Sequence, residues 1–343
     1  MPEPVQPQPV VTGLTTAALF LVLTIDEGGE DAARDLLADV STIERVVDFR
    51  AVGIGVNVVA GIGSQAWDRL FAGERPAHLH VLEELHGDKH HMPSTPGDLL
   101  FHIRGAQQNV CFEVARQIMN QLDGAATVVD EVYGFQSFGH RNLLGFMDGT
   151  ENPTGIEAFG AALVGEDEPD FTGGSYVIVQ KYRHDMKAWD DISTEEQERV
   201  MGRSKIDDIE MSDDVKPANS HIALNDIEDE NGEGLDILRA NMPFGSFKDG
   251  EMGTYFIGYA ADPAVTEQML ENMFIGDPPG NYDRLLDFST AITGGLFFAP
   301  SKDFLDDLPP APEQPEETDD DMQAPPVKAG SLAIGSLKRS VLR

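Results

Sequence analysis

Ala17-Ala-Leu-Phe-Leu-Val-Leu-Thr-Ile25 is an uncharged run of aliphatic, aromatic and β-branched residues, halted by the acidic turn Asp26–Glu30. It is far shorter than the roughly 20 apolar residues that cross a bilayer, so it reads as a buried strand. The segments after it decide the fold. Asp31–Phe49 carries Ala33, Leu36, Leu37, Val40, Ile43, Val46 and Val47 on one side of a helical period. Val52–Ala60 and Leu99–Arg104 have strand character, with a short helix, Gln65–Phe71, between them. Asn109–Leu122 returns to the helical period and Ala126–Phe138 to a strand. The order is β-α-β-β-α-β, that of a ferredoxin-like α+β unit.

A similar order follows a Gly- and Asp-rich junction. Ser175–Tyr182 reads as a strand and Thr194–Met201 as a helix with an acidic first turn. Leu238–Phe244 and Thr254–Tyr259 read as strands, Val265–Phe274 as a helix and Gly295–Ala299 as a last strand. No repeat of fixed period accompanies this order. Between Asp306 and Pro326 there are eight acidic residues, six prolines and no basic residue, a composition that stays extended and buries no core. Lys328–Arg343 then has four basic residues and no acidic one. Within it lies Gly330-Ser-Leu-Ala-Ile-Gly-Ser-Leu-Lys-Arg339, an apolar-and-small segment on a long tether, which reads as a docking peptide. The expected organisation is α+β with two ferredoxin-like domains in tandem. An N-terminal arm spans 1–14, the domains 15–150 and 151–305, an acidic linker 306–327 and the docking peptide 328–343.

The chain holds 24 Lys+Arg against 60 Asp+Glu, a net charge of −36, of which residues 306–343 account for only −4. Such a field excludes nucleic acid as a partner and disfavours anionic membranes. Met1–Thr12 carries no Lys or Arg, so no secretion signal is expected and the location expected is the cytoplasm. The single cysteine, Cys111, rules out an intramolecular disulfide and thiolate clusters. Walker, dinucleotide, H-E-x-x-H and C-x-x-C-H patterns are absent, which argues against zinc hydrolysis and covalently attached haem. His86, His90 and His91 cluster in a charged loop; an i, i+4 histidine pair can bind metal, though solvated loop histidines are commoner.

Gly145-Phe-Met-Asp-Gly-Thr-Glu-Asn-Pro153 is turn chemistry by default, or a carboxylate, Asp148, presented by a tight loop whose Gly149 admits a flat ligand. This loop resembles the G-x-x-D-G loop of the dye-decolourising peroxidases, haem proteins built from two ferredoxin-like domains. Ser220-His221 before Asn225-Asp226 resembles the family's proximal-histidine segment. Arg239-Ala-Asn241-Met-Pro-Phe-Gly245 resembles its distal arginine segment, with an asparagine that leans towards the bacterial B-type branch. Asp283-Arg284 through Gly294, and Phe298-Ala-Pro300, resemble its C-terminal signature, and Gly97–Arg104 is similar to a strand of its first domain.

The resemblance implies a peroxidase with one non-covalent haem b per chain. It would reduce hydrogen peroxide and oxidise aromatic, dye-like donors in one-electron steps, with a surface Tyr or Trp as relay for bulky donors. His221 is implied as the ligand to haem iron, with Asp283 as the hydrogen-bond partner of its other nitrogen. Asp148, Arg239 and Asn241 are implied as the catalytic group, and Gly149, Thr150 and Arg239 as cofactor contacts. Asp148 would shuttle the peroxide proton and Arg239 would offset charge on the breaking O–O bond. An ordinary carboxylate in this role implies an acid optimum. The tail is similar to the targeting peptide of encapsulin cargo, with Leu332, Ile334 and Leu337 docking on the inner shell wall, so the location implied is an encapsulin nanocompartment in the cytoplasm. The family also implies a homo-oligomer. The competing readings are a haem-handling, deferrochelatase-like protein and a non-catalytic encapsulin cargo.

Overall fold

A computed structural model of the chain describes residues 5–229 and 231–313. The docking peptide with Leu332, Ile334 and Leu337, and all but the first residues of the acidic linker, lie outside the described residues.

The first half runs β1 (Ala17–Ile25), α1 (Glu30–Arg50), β2 (Val56–Gly63), β3 (Leu99–Gly105), α2 (Gln108–Gln121) and β4 (Ala126–Phe135). Its strands are ordered β4-β1-β3-β2 and every pair is antiparallel, the ferredoxin-like arrangement expected. β1 shows why its sequence is apolar throughout. Leu19, Leu21 and Leu23 pack in one buried core with α1 and α2, while Ala18, Phe20 and Val22 pack in another on the opposite face.

Some boundaries shift for local reasons. Gly53 and Gly55 take φ of +78° and +73°, which curls 52–55 into a turn, so β2 starts at Val56 and Val52 is 86% exposed. Val46 is 43% exposed because it lies about 100° round the helix from buried Val47. The strand expected over Ala126–Phe138 stops at Phe135.

The second half runs β5 (Ser175–His184), α3 (Thr194–Met201), α4 (His221–Asn225), β6 (Met242–Ser246), β7 (Glu251–Ala260), α5 (Pro263–Phe274) and β8 (Gly295–Ala299). Its strand order is β8-β5-β7-β6, the same topology again. The halves join where edge meets edge: β2 pairs with β8 through Gly63–Phe297 and Ile62–Phe298, so neither edge is left open. The far edges also approach, since Gly134 of β4 lies against the Met242 side chain of β6.

Both ends of the described chain are bonded into this body. Gln8 exchanges two hydrogen bonds with the backbone of Ala60 and donates to the Pro300 carbonyl, bridging the β2–β8 seam. The Pro309 carbonyl accepts from Arg34 and the Pro310 carbonyl from the Ala72 N–H. Among the described residues no helix is long and apolar enough to cross a membrane.

Candidate active site

The loop after β4 presents Asp148 between two glycines with positive φ, Gly145 at +92° and Gly149 at +81°. The Asp148 N–H donates to the His140 carbonyl at 2.9 Å, and Arg141 donates to the Gly145 carbonyl at 2.9 Å. A second tie runs to the strand that carries Arg239. Asn152 Nδ2 donates to the Arg239 carbonyl at 2.7 Å, and its Oδ1 accepts the Arg239 N–H at 3.0 Å. The side chain of Asn152 thus replaces a strand partner for Arg239.

The strand expected over Leu238–Phe244 is broken, and the break is functional in form. Leu238–Arg239 and β6 both pair with β7, and Asn241 sits between them. Its Oδ1 accepts the Ile257 N–H at 3.1 Å, as a strand carbonyl would, which leaves Nδ2 to donate to Asp148 Oδ1 at 3.3 Å. One side chain therefore repairs the sheet and aims the carboxylate. Among the described residues the Arg239 guanidinium makes no hydrogen bond, and its Nε is buried without a partner.

His221 opens α4, a helix whose N-terminus is capped by the buried hydroxyl of Ser220. Its Nδ1 meets Asp283 Oδ2 at 2.6 Å. Asp283 is fully buried, and its Oδ1 accepts the Leu285 N–H at 2.8 Å while its own N–H donates to the Met273 carbonyl at 2.9 Å. The carboxylate is thereby fixed, and it orients the imidazole by engaging Nδ1, which leaves Nε2 without a hydrogen bond among the described residues.

Asp148, Gly149, Thr150, His221, Arg239 and Asn241 line one cleft of about 1100 Å³ that opens to solvent, and Asp283 stands behind His221. Asp148, Gly149, Arg239 and Asn241 also line a second, smaller cavity with Leu14, Gln136 and His140; His221 does not.

Burial drives the Asp148 carboxyl above the usual carboxylate range. The Arg239 cation, the Asn241 amide and His221 pull the other way and only partly offset it. This tempers the acid optimum expected of an ordinary carboxylate.

Two groups of the cleft and one beside it escaped the sequence reading. Arg203 donates to Thr150 Oγ1 at 3.1 Å and to Glu151 at 2.8 Å, and pairs with Asp208 at 2.9 Å. His184 on β5 lies between Ser289 Oγ at 2.8 Å and Thr254 Oγ1 at 3.0 Å, and burial pushes its pKa down to about 4. Asn152 was read only as the end of a turn. Each works through a partner distant in sequence, so no local pattern marks it.

The donor set fits a haem. One imidazole nitrogen is held by a carboxylate and the other carries no hydrogen bond among the described residues, and the cleft is walled by Leu144, Met201, Phe256, Met269 and Leu286.

Comparison with known proteins agrees with this geometry. The family models "Dyp-type peroxidase, N-terminal" and "Dyp-type peroxidase, C-terminal" match residues 7–136 and 139–304. A dye-decolorizing peroxidase of Rhodococcus erythropolis is 61% identical over 342 residues, 99% of each chain. The encapsulated DyP-type peroxidase from Mycobacterium smegmatis superposes with a TM-score of 0.89 at 60% identity, covering 90% of this chain and 100% of that one. A variant of DypB from Rhodococcus jostii in complex with heme gives 0.87 at 55% identity, over 88% and 98%. With both halves matched and near-full-length identity of this order, the chain belongs to the Dyp-type peroxidase family.

Proposed function

We propose that this peroxidase binds haem b non-covalently, with His221 Nε2 as the nitrogen that would hold its iron and Asp148, Arg239 and Asn241 as the peroxide-handling group. The observation that carries the reading is the His221–Asp283 pair at 2.6 Å, opening onto the cleft that the Asp148 group also lines. When bound, haem supplies the two-electron reduction of hydrogen peroxide and the one-electron oxidation of aromatic donors.

The chain's own residues do the rest. Asp283 accepts the Nδ1 proton of His221 and raises the basicity of Nε2. Asp148, aimed by Asn241, takes a proton from one peroxide oxygen and returns it to the other. The Arg239 guanidinium, without a hydrogen-bond partner among the described residues, meets the negative charge that builds during O–O cleavage. Gly149 and Thr150 line the cleft that would hold the macrocycle, and Arg203 donates to the Thr150 hydroxyl. The smaller cavity ending at Asp148, Arg239 and Asn241 offers peroxide a path apart from the cleft. Both tryptophans, Trp67 and Trp189, are only 1% exposed, so neither acts as a surface relay.

In the domain division 15–150 and 151–305, Asp148 belongs to the first domain and His221, Arg239, Asn241 and Asp283 to the second. Packaging in an encapsulin shell through 328–343, with Leu332, Ile334 and Leu337 as anchors, is supported by the likeness to the encapsulated Mycobacterium smegmatis enzyme. The reading includes a cytoplasmic nanocompartment as the location and a homo-oligomer as the assembly, the latter implied by the family resemblance alone. Deleting 331–343 is expected to leave activity intact and end co-purification with co-expressed shell protein; continued co-purification refutes the docking.

The deciding experiment is an absorption spectrum of purified protein with steady-state dye oxidation by peroxide. A Soret band with sustained turnover is expected. A Soret band with negligible turnover favours the haem-handling reading, and no Soret band after haem supplementation favours a non-catalytic cargo.

A further inference from the structure

Away from the cleft, a two-stranded hairpin pairs Leu85–His86 with His91–Met92 and sets His86 directly opposite His91. The spacing in the sequence suggested His86 with His90 instead. The hairpin turns His90 aside, to Asp287 at 3.2 Å. The His86 and His91 rings stack with centroids 4.4 Å apart, and both Nε2 atoms converge on one oxygen, Glu84 Oε2, at 3.3 and 3.5 Å. All three donor atoms lie within 4.8 Å of one another. A tetrahedral Zn²⁺ bound at about 2.0–2.1 Å needs donors roughly 3.3 Å apart. The three side chains are exposed, so small rotations bring them to that span.

The scaffold beneath them is held in place. The Gly87 backbone lies against the Phe274 carbonyl at the end of α5, where any Cβ would overlap it. The Gly87 N–H donates to the His90 carbonyl at 3.0 Å, and Lys89 and His90 both reach Asp287. Asp287 closes the turn that Asp283 caps.

We propose that Glu84, His86 and His91 form a surface site for a late transition-metal dication of the Zn²⁺ or Cu²⁺ class. Two imidazoles and one carboxylate favour these ions over Mg²⁺, Ca²⁺ or Mn²⁺. Three protein ligands leave a position for water, and the acidic chain enriches cations around it. The bound ion cross-links the two hairpin strands and braces the tip that grips Asp287. It takes no part in the peroxide chemistry.

The test uses the haem-loaded full chain after chelator treatment. Equilibrium dialysis against Zn²⁺ is expected to find one saturable equivalent. His86→Ala and His91→Ala each weaken it by at least about tenfold, and Glu84→Gln weakens it as well. Cu²⁺ in the same site is expected to show splitting from two nitrogens in its paramagnetic resonance spectrum, reduced to one in either histidine variant. The ferric signal and dye turnover serve as fold controls and stay unchanged. The proposal is overturned if the equivalent persists in the His86→Ala/His91→Ala double variant, or if Zn²⁺ binding shows no saturation.

Discussion

Asn152 and Arg239 are joined by two reciprocal hydrogen bonds between the side chain of one and the backbone of the other, at 2.7 and 3.0 Å. The bonds clamp the Asp148 loop to the short strand that carries the guanidinium, so the relative position of acid and cation depends on an amide that touches neither. Asn152→Ala removes both bonds and frees two backbone groups. Misplacement by about an ångström costs on the order of 100-fold in rate, so kcat/KM for peroxide is expected to fall by about 10- to 100-fold with the Soret band intact. Asn152→Asp, which accepts but cannot donate, is expected to fall between the two. Stopped-flow mixing with peroxide measures this, and an unchanged rate in Asn152→Ala removes Asn152 from the positioning role.

Much of this architecture was legible in the sequence. β1 is apolar on both faces, so its continuous run gave it away, and the period of α1 marked five of its core contacts as far as Ile43 and then Val47. The resemblance carried by short motifs led to Asp148, His221 and Arg239, and the structure gathers them at one cleft. What stayed hidden was non-local. The joining of β2 to β8 spans more than 200 residues, and edge pairing leaves no mark in either strand. Asn241 looked like part of a strand because its sheet-repairing bond to Ile257 is made by a side chain. Arg203 and His184 depend on partners that only folding brings near.

On the proposed roles, His221 and Asp283 divide the work of holding the cofactor, so their variants should differ. His221→Ala removes the ligand and is expected to abolish haem retention through gel filtration. Asp283→Asn keeps a hydrogen-bonding group beside Nδ1 but loses the charge, and is expected to retain haem with affinity lowered by about 10- to 100-fold. Haem titration followed at the Soret band separates the two. Equal affinity in Asp283→Asn and the unmodified protein would show that the buried carboxylate serves structure alone.

In its proposed role Asp148 must be ionised to accept the peroxide proton, and burial makes that harder. Its folded-state pKa is raised, so the acid limb of kcat/KM is expected above the ordinary carboxylate range. Arg239 opposes the shift, so losing its cation leaves the anion less favoured and more of Asp148 protonated at a given pH. In Arg239→Leu the acid limb is expected to move to higher pH, along with a lower plateau rate. Asp148→Ala is expected to keep haem and lose the limb altogether. A limb that stays in place in Asp148→Ala assigns it to another group.

His184 links the cleft to stability. Burial lowers its pKa to about 4, against an unfolded value near 6.5, so only the unfolded chain takes up the proton between those limits. Protons bound by the unfolded state make stability rise with pH, so this contribution is complete above about pH 6.5 and drains away as pH falls towards 4. The amount at stake is about 3 kcal/mol, an upper figure for a group so deeply buried. His184→Gln can still bond Ser289 and Thr254 but does not titrate. Chemical denaturation at pH 7 and pH 4.5 is expected to show the unmodified protein losing more stability than the variant. Parallel losses would mean that other carboxylates govern the acid response.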